Sequence, residues 1–332
     1  MAAPLPDRRR RRFSAGLALG AAAGWAVGLS TTPAARAARP AAAPRSDRMA
    51  TASADAAPTC LGRFAFLLPE GWVPSGRETT IYFSRVSDAV ETLGRPIPGA
   101  GPAMRVLRAD LPPGEPLLRE FALDGVGPAA WFAIGGPTGS NRRLVALAGT
   151  PEAGLRMELI ATGGREAQAE AGLKQLAAGY RAGARTGFCL ERGAIVLAPS
   201  RSERTRLSAS HPALPGATLR FSTVVTASPR SDGPLADPAA DAQAMAGTGS
   251  TLTPLSKQER SIAGLRGYDA RASLQEPGKP LALSYRFFHA GVAGSATAPE
   301  IIVALDGPAS ARVQLDAAWD RLLDSVRPVP AN

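Results

Sequence analysis

The sequence predicts an α+β fold of two related modules, each a mainly antiparallel sheet covered by a helix at its C-terminal end. A pattern occurs twice: Cys60 opens CLGRFAFLLPEGW and Cys189 opens CLERGAIVLAP, each a thiol followed by a glycine, an apolar stretch and a proline. Strand-like runs follow one another through short turns, whereas parallel strands would need crossover helices between them. Helical periodicity appears at the end of each half. A chain of 332 residues is long enough for two units that each bury a core.

The first module, residues 59–183, begins with a strand over Arg63–Leu68, stopped by Pro69-Glu70-Gly71, whose Pro and Gly favour a turn. Thr79–Arg85, with Ile81, Tyr82 and Phe83, reads as a second strand and Met104–Ala109 as a third. Leu117–Leu123 suits either a short helix or a strand, and further strands follow over Ala129–Ile134, Arg142–Ala148 and Leu155–Ala161. The period then changes, because Ala169, Leu173, Leu176 and Tyr180 share one helical face within Arg165–Tyr180. The Gly- and Arg-rich run RAGARTGF links this module to the next.

The second module, residues 184–332, repeats the order. Gly193–Leu197 is the strand after the cysteine, and Thr218–Val225 is a stronger one, with Leu219, Phe221 and Val225 on one face. Pro234–Met245 reads as a short helix and Gly247–Ser250 as a flexible stretch. Arg260–Arg271, Leu281–His289 and Ile301–Asp306 read as hairpin-connected strands. The closing helix, Val313–Val326, turns Leu315, Trp319, Leu322 and Val326 toward a core, and Pro328 stops it.

Before the modules stands an export signal over residues 1–37: a cationic start at Arg8–Arg12, an apolar segment over Phe13–Ser30, and a small-x-small cleavage site at Ala35-Arg36-Ala37. The competing reading is an uncleaved inner-membrane anchor, since about 18 apolar residues is near the lower limit for crossing a bilayer. Residues 38–58 are Ala, Pro, Ser and Arg without period, which predicts a disordered tether. Either reading places the folded part in the periplasm, with no integral membrane role once the signal is cleaved. There the two cysteines, Cys60 and Cys189, permit one disulfide; two small buried apolar side chains are the alternative.

The formal charge of +10 falls to +5 without residues 1–37, which hold six arginines and one aspartate. No basic stripe with interleaved aromatics is present, so nucleic acid is not an expected partner. Nor does an enzyme emerge. His211 and His289 lack a second ligand at metal spacing, no G-x-S-x-G nucleophile turn or phosphate loop occurs, and Glu70, Glu78, Asp88 and Glu91 read as a solvated face. No catalytic residue, metal or cofactor is expected. The surface candidates are aromatic and Arg: Trp131-Phe132, Phe287-Phe288, and the arginines Arg142 and Arg143, residue types enriched at binding hot spots.

The chain resembles the periplasmic immunity proteins that neutralise lipase effectors of the fourth class in bacterial type VI secretion. The resemblance covers residues 59–330. It rests on Cys60 with Gly62-Arg63 and Leu68-Pro69-Glu70-Gly71, on Gly187-Phe188-Cys189 with Gly193-Ala194-Ile195, on Ile262 through Gly267, and on Trp319 through Pro328. It implies a two-domain α+β binder without enzymatic activity that covers a cognate lipase or phospholipase and blocks its active site. The chain departs from the family pattern in the loop after Cys189, where Arg201, Arg204 and Arg206 cluster. The interface nominees are therefore Trp131, Phe132, Arg142 and Arg143 in the first module and Arg204 and Arg206 in the second. An envelope-tethered structural or lipid-binding protein without enzymatic activity is the alternative function.

Overall fold

The computed structural model describes residues 57–88, 109, 117–122, 131–135, 141–149, 154–230 and 233–331. The expected export signal, the tether up to residue 56 and the strand expected over Met104–Ala109, but for Ala109, lie outside these residues. In chain order the elements are β1 (Thr59–Leu61), β2 (Phe64–Phe66), β3 (Val73–Ile81), β4 (Ser84–Asp88), β5 (Leu117–Ala122), β6 (Trp131–Gly135), β7 (Asn141–Gly149) and β8 (Gly154–Thr162). Then come α1 (Glu166–Gly179), β9 (Tyr180–Ala182), β10 (Phe188–Cys189), β11 (Gly193–Ile195), β12 (Arg204–Ser210) and β13 (Thr218–Val224). The chain closes with α2 (Pro238–Ala246), β14 (Thr251–Ile262), β15 (Leu265–Gln275), β16 (Ala282–His289), β17 (Glu300–Pro308), α3 (Arg312–Ser325) and β18 (Arg327–Pro328).

One antiparallel sheet of 12 strands runs in the order β14-β15-β16-β17-β13-β12-β3-β4-β8-β7-β6-β5. The pairing of β3 with β12 carries it across from one half of the sequence to the other. Period-two burial sets its faces. Leu207, Leu219, Phe221, Val303 and Leu305 point under α3, whose Leu315, Trp319, Leu322 and Leu323 recur at helical spacing. Ile81, Val86, Leu144, Ala146 and Met157 point under Ala169, Leu173 and Leu176 of α1. Leu207 pairs with Arg77, which alternates with Thr79 and Ile81, so both helices cover the same face of the sheet. This is the α+β class expected, antiparallel strands with a helix closing each half. α3 ends where Pro328 and the extended backbone of Val326 forbid another turn.

Two small sheets, β1-β2-β18 and β10-β11-β9, flank the helices and interleave the halves. β18, after α3, pairs with β2 near the start of the described chain, whereas β9, after α1, pairs with β11 beyond the linker. The cores follow. Leu61, Phe64, Phe66 and Trp72 pack with β12–β17 and α3, and Phe188, Leu190 and Ile195 pack with α1 and β7–β8. Each cysteine-headed segment is thus buried in the core built mainly by the other half of the sequence. Where the two segments meet, Cys60 and Cys189 are joined by a disulfide with Cα atoms 5.6 Å apart, and Gly62 and Cys189 exchange backbone hydrogen bonds of 2.9 and 2.7 Å.

Three local expectations change. Thr79–Arg85 is not one strand, because Tyr82 and Phe83 form a two-residue turn between β3 and β4. Arg260–Arg271 is likewise split by a turn at Ala263 and Gly264, both with positive φ, into the long hairpin β14–β15. Arg204 and Arg206 stand on a regular strand, β12, and not in a loop, since Thr205, Leu207 and Ala209 alternate with them into the core.

Candidate functional site

Among the described residues, none packs over the face of the sheet opposite α1 and α3 along β3, β12, β13 and the middle of β17. At its β15 end it is covered by the segment carrying Leu235 and α2, which packs on Ala270 and Ala272. Direct cross-strand neighbours project to the same side. The rows across the bare part run Thr80–Arg204–Val224, Glu78–Arg206–Ser222–Ile302 and Gly76–Ser208–Arg220–Ala304. Small side chains therefore form its floor, and Arg204, Arg206 and Arg220 rise from it, all exposed. Arg206 lies 3.7 Å from the exposed Glu78, a solvated pair that contributes little to stability. The second-half arginines nominated from sequence stand side by side on this face, and Arg220 joins them.

At one end of this face the β3–β4 turn projects Phe83, which is 79% exposed. Tyr82 and Phe83 have φ of 49° and 62°. A two-residue hairpin turn with both residues at positive φ normally takes Asn-Gly, because a Cβ there crowds the following carbonyl at a cost of about 1–2 kcal/mol per residue. Neighbouring groups hold the turn in this state. The Phe83 N–H donates to Ser202 Oγ at 3.2 Å, and the Tyr82 hydroxyl donates to the Ala198 carbonyl at 3.3 Å. Ser202 is held by Ser200 at 3.0 Å, and the Ser200 N–H donates to Glu203 at 2.8 Å. Glu203 in turn takes two hydrogen bonds from Arg63, 2.7 and 3.0 Å, in a nearly buried pair. A hollow of about 250 Å³ beside Phe83 is lined by Thr80, Ser202, Arg204, Val224 and Val225.

The first-half nominees lie elsewhere. From β7 to β12 there are four strand spacings, about 19 Å along the sheet. Trp131 and Phe132 sit on β6 in register with Leu147 and Ala146. Arg142 lies toward α1, 4.0 Å from Glu166. Arg143 is on the opposite face, bound to Glu158 at 2.9 Å, and Arg156 binds the same carboxylate at 2.9 Å. Burial of Glu158 would raise its pKa, but the hydrogen bonds and charges of Arg143 and Arg156 outweigh this and hold it below the ordinary value. Arg143 is thus engaged in a local ionic cluster. Sequence reasoning missed Phe83 and Arg220. The adjacent Tyr82-Phe83 pair was the available signal for the first, and the period of β13 for the second.

A groove of about 530 Å³ lies at the other end of β3 and β12, between the turn at Pro69–Trp72, His211, Leu214 and α3. His211 stands edge-on to Trp72 with ring centroids 5.7 Å apart, and Gly71 is required there because a Cβ would meet the imidazole at 2.4 Å. Phe287 is buried in the core under α3 and Phe288 is buried on the other face of the sheet against Tyr268 and Arg230, so that pair presents no surface. Among the described residues, no three His, Cys, Asp or Glu side chains are grouped to hold a metal ion.

Residues 183–331 match the family described as Tle cognate immunity protein 4, C-terminal domain. The resemblance read from the sequence is borne out there. No curated protein sequence matches the chain. Among solved structures, the apo form of TplEi, a type VI secretion immunity protein from Pseudomonas aeruginosa, is similar over 83% of this chain and 97% of its own, with 20% identity and a TM-score of 0.66. A chain in the crystal structure of a Tle4–Tli4 complex is similar over 83% of this chain and 98% of its own, with 19% identity and a TM-score of 0.65. TplEi from Pseudomonas aeruginosa in complex with an "L" peptide gives 20% identity, 82% and 98% coverage and a TM-score of 0.62. At these identities the likeness is one of fold, and it extends through both halves.

Proposed function

We propose that this chain, whose residues 183–331 match the Tle cognate immunity protein 4 C-terminal domain, is an immunity protein that binds a lipase effector of a type VI secretion system and occludes its active-site opening. That match is the observation that carries the reading. The fold shared with TplEi and with a chain of the Tle4–Tli4 complex supports it beyond the matched residues.

The mechanism is steric. A lipase must open an apolar mouth to its lipid, and a rigid body seated over that mouth excludes substrate without any chemistry of its own. Rigidity favours such binding because fewer groups lose freedom on association. The Cys60–Cys189 bridge and the buried Arg63–Glu203 pair supply it here by fixing the interleaved segments. In this reading residues 59–183 and 184–332 act as two lobes of one binder, and the protein is not an enzyme. Its place is the periplasm, reached by export through residues 1–37. The disulfide is consistent with an oxidising compartment, and no described helix is long and apolar enough to cross a membrane.

The test is co-purification of residues 38–332 with a lipase encoded beside this chain, followed by a phospholipase assay of the complex. A stoichiometric complex with suppressed hydrolysis is expected. Binding with full activity would refute occlusion, and absence of binding would return weight to an envelope or lipid-binding role.

A further inference from the structure

The β3–β4 turn carries a bulky apolar side chain where the backbone favours glycine, and aims it into solvent. Burial does not explain this, because Phe83 is 79% exposed. Nor does local backbone preference, because both turn residues have positive φ. Strain kept in place by a chain of hydrogen bonds, Arg63 to Glu203 to Ser200 to Ser202 to Phe83, is a device for presenting the ring.

Charge around the ring is one-sided. Arg85, Arg201 and Arg204 are exposed near the same end of the sheet. Among the described residues, the carboxylates at this end are already engaged: Glu203 by Arg63, Glu158, in register with Arg85, by Arg143 and Arg156, and Glu300 by Arg230 at 2.9 and 3.0 Å. The uncompensated charge is therefore positive, and its complement is an acidic rim. A rigid aromatic ringed by arginines is the composition of a binding hot spot.

We propose that Phe83 is the anchor residue of the effector interface, seating in an apolar pocket of the lipase while Arg85, Arg201 and Arg204 engage carboxylates around that pocket. This rests on the functional reading given above. The contact is preorganised, since the turn already holds in the free protein the conformation that displays the ring.

The probe is a lipase encoded beside this chain, in an inactive form, titrated against the unaltered chain and against Phe83→Gly, Arg204→Glu and, as a control on the helix-covered side, Val313→Ala. Phe83→Gly weakens affinity roughly 30-fold, the hot-spot threshold of about 2 kcal/mol at about 1.4 kcal/mol per tenfold. Its thermal midpoint stays level or rises, because glycine tolerates the turn. A residue of merely structural importance would lose affinity and midpoint together. Arg204→Glu weakens binding and lessens its salt dependence, and Val313→Ala leaves affinity unchanged. If Phe83→Gly and Arg204→Glu both bind within about threefold of the unaltered chain, less than 1 kcal/mol by the same conversion, the anchor is refuted while the immunity reading stands. If the unaltered chain does not bind the lipase, the functional reading falls and the anchor falls with it.

Discussion

Replacing Asp269 by alanine strikes the point where α3 is tied to the sheet. The carboxylate is 1% exposed. It accepts from the fully buried Trp319 Nε1 at 3.0 Å and from Arg260 at 3.1 Å, and lies 3.6 Å from Arg271. Both arginines have further partners on the helix: Arg260 binds Asp320 and Asp324 at 2.9 and 2.7 Å, and Arg271 binds Asp316 and Asp320 at 2.9 Å each. Burial would lower the pKa of Arg260, but these carboxylates outweigh that and hold it above the ordinary value. Removal of Asp269 therefore leaves the arginines paired and the indole N–H orphaned. An unsatisfied buried donor costs about 1–3 kcal/mol, and breaking a buried ion pair by removing one partner about 3–5 kcal/mol. Because the arginines keep other partners, the low end applies, and we expect about 3 kcal/mol. For a compact unit spanning Asp47–Asn332 this lowers the thermal midpoint by about 5 °C. Asp269→Asn, which retains an acceptor for the indole, costs less. Urea titrations of Asp269→Ala, Trp319→Phe and the double variant measure the coupling directly, and about 1–2 kcal/mol of it should come from the lost indole bond. A loss below about 0.5 kcal/mol for Asp269→Ala, the usual range of surface changes, or additive single effects would refute this account.

Reduction of the Cys60–Cys189 bridge, which closes a span of 129 residues, lowers stability by up to about 5 kcal/mol by freeing the unfolded chain. Equal urea midpoints for the oxidised protein and for Cys60→Ala/Cys189→Ala would show that the bridge is thermodynamically idle. Glu158 has a folded pKa depressed below 4.5, so its contribution is present above that pH and is lost as pH falls through the folded value. Glu158→Gln should flatten the acid side of the stability–pH curve, and an unchanged slope would count against the Arg143–Glu158–Arg156 cluster. Tyr285 is pushed above its ordinary 10.0, chiefly by burial and then by its hydrogen bond to Asp316. The folded state therefore holds that proton longer than the unfolded chain, and stability declines as pH rises past 10. Tyr285→Phe should lack this alkaline decline, and denaturation midpoints taken across that range would detect it.

The closing helices were legible because Leu173 and Leu176, and Leu315, Trp319 and Leu322, repeat at a spacing only a helix brings to one face. β13 was legible from an apolar period-two run, and β7, β8, β16 and β17 from short apolar and aromatic runs bounded by turn residues. The β3–β4 turn was not, since Tyr and Phe are strand formers and their positive φ is imposed by contacts with Ala198 and Ser202, more than a hundred residues away. β12 was hidden because three of its seven inward or outward positions are Ser or Ala and two are Arg, a composition that reads as loop. At the candidate site, the period of β12 places Arg204 and Arg206 together. Their nearness to Phe83 and Arg220 depends on the β3–β12 and β12–β13 registers, and no local pattern encodes the first of these.

The exchange of the two cysteine-headed segments has a consequence for how the chain must be assembled in time. A polypeptide released from its N-terminus produces Phe64 and Phe66 long before β13, β17 and α3, the surfaces that enclose them, exist. Its beginning must stay unseated until its end arrives. Contacts so distant along the chain make folding slow and leave apolar segments open to aggregation meanwhile. The same interleaving means that a single protease cut near the linker would yield two pieces that remain clasped, each holding a part of the other's interior. Resistance of the nicked protein to separation, even after its thiols are reduced, would be the mark of an interior shared between the two pieces.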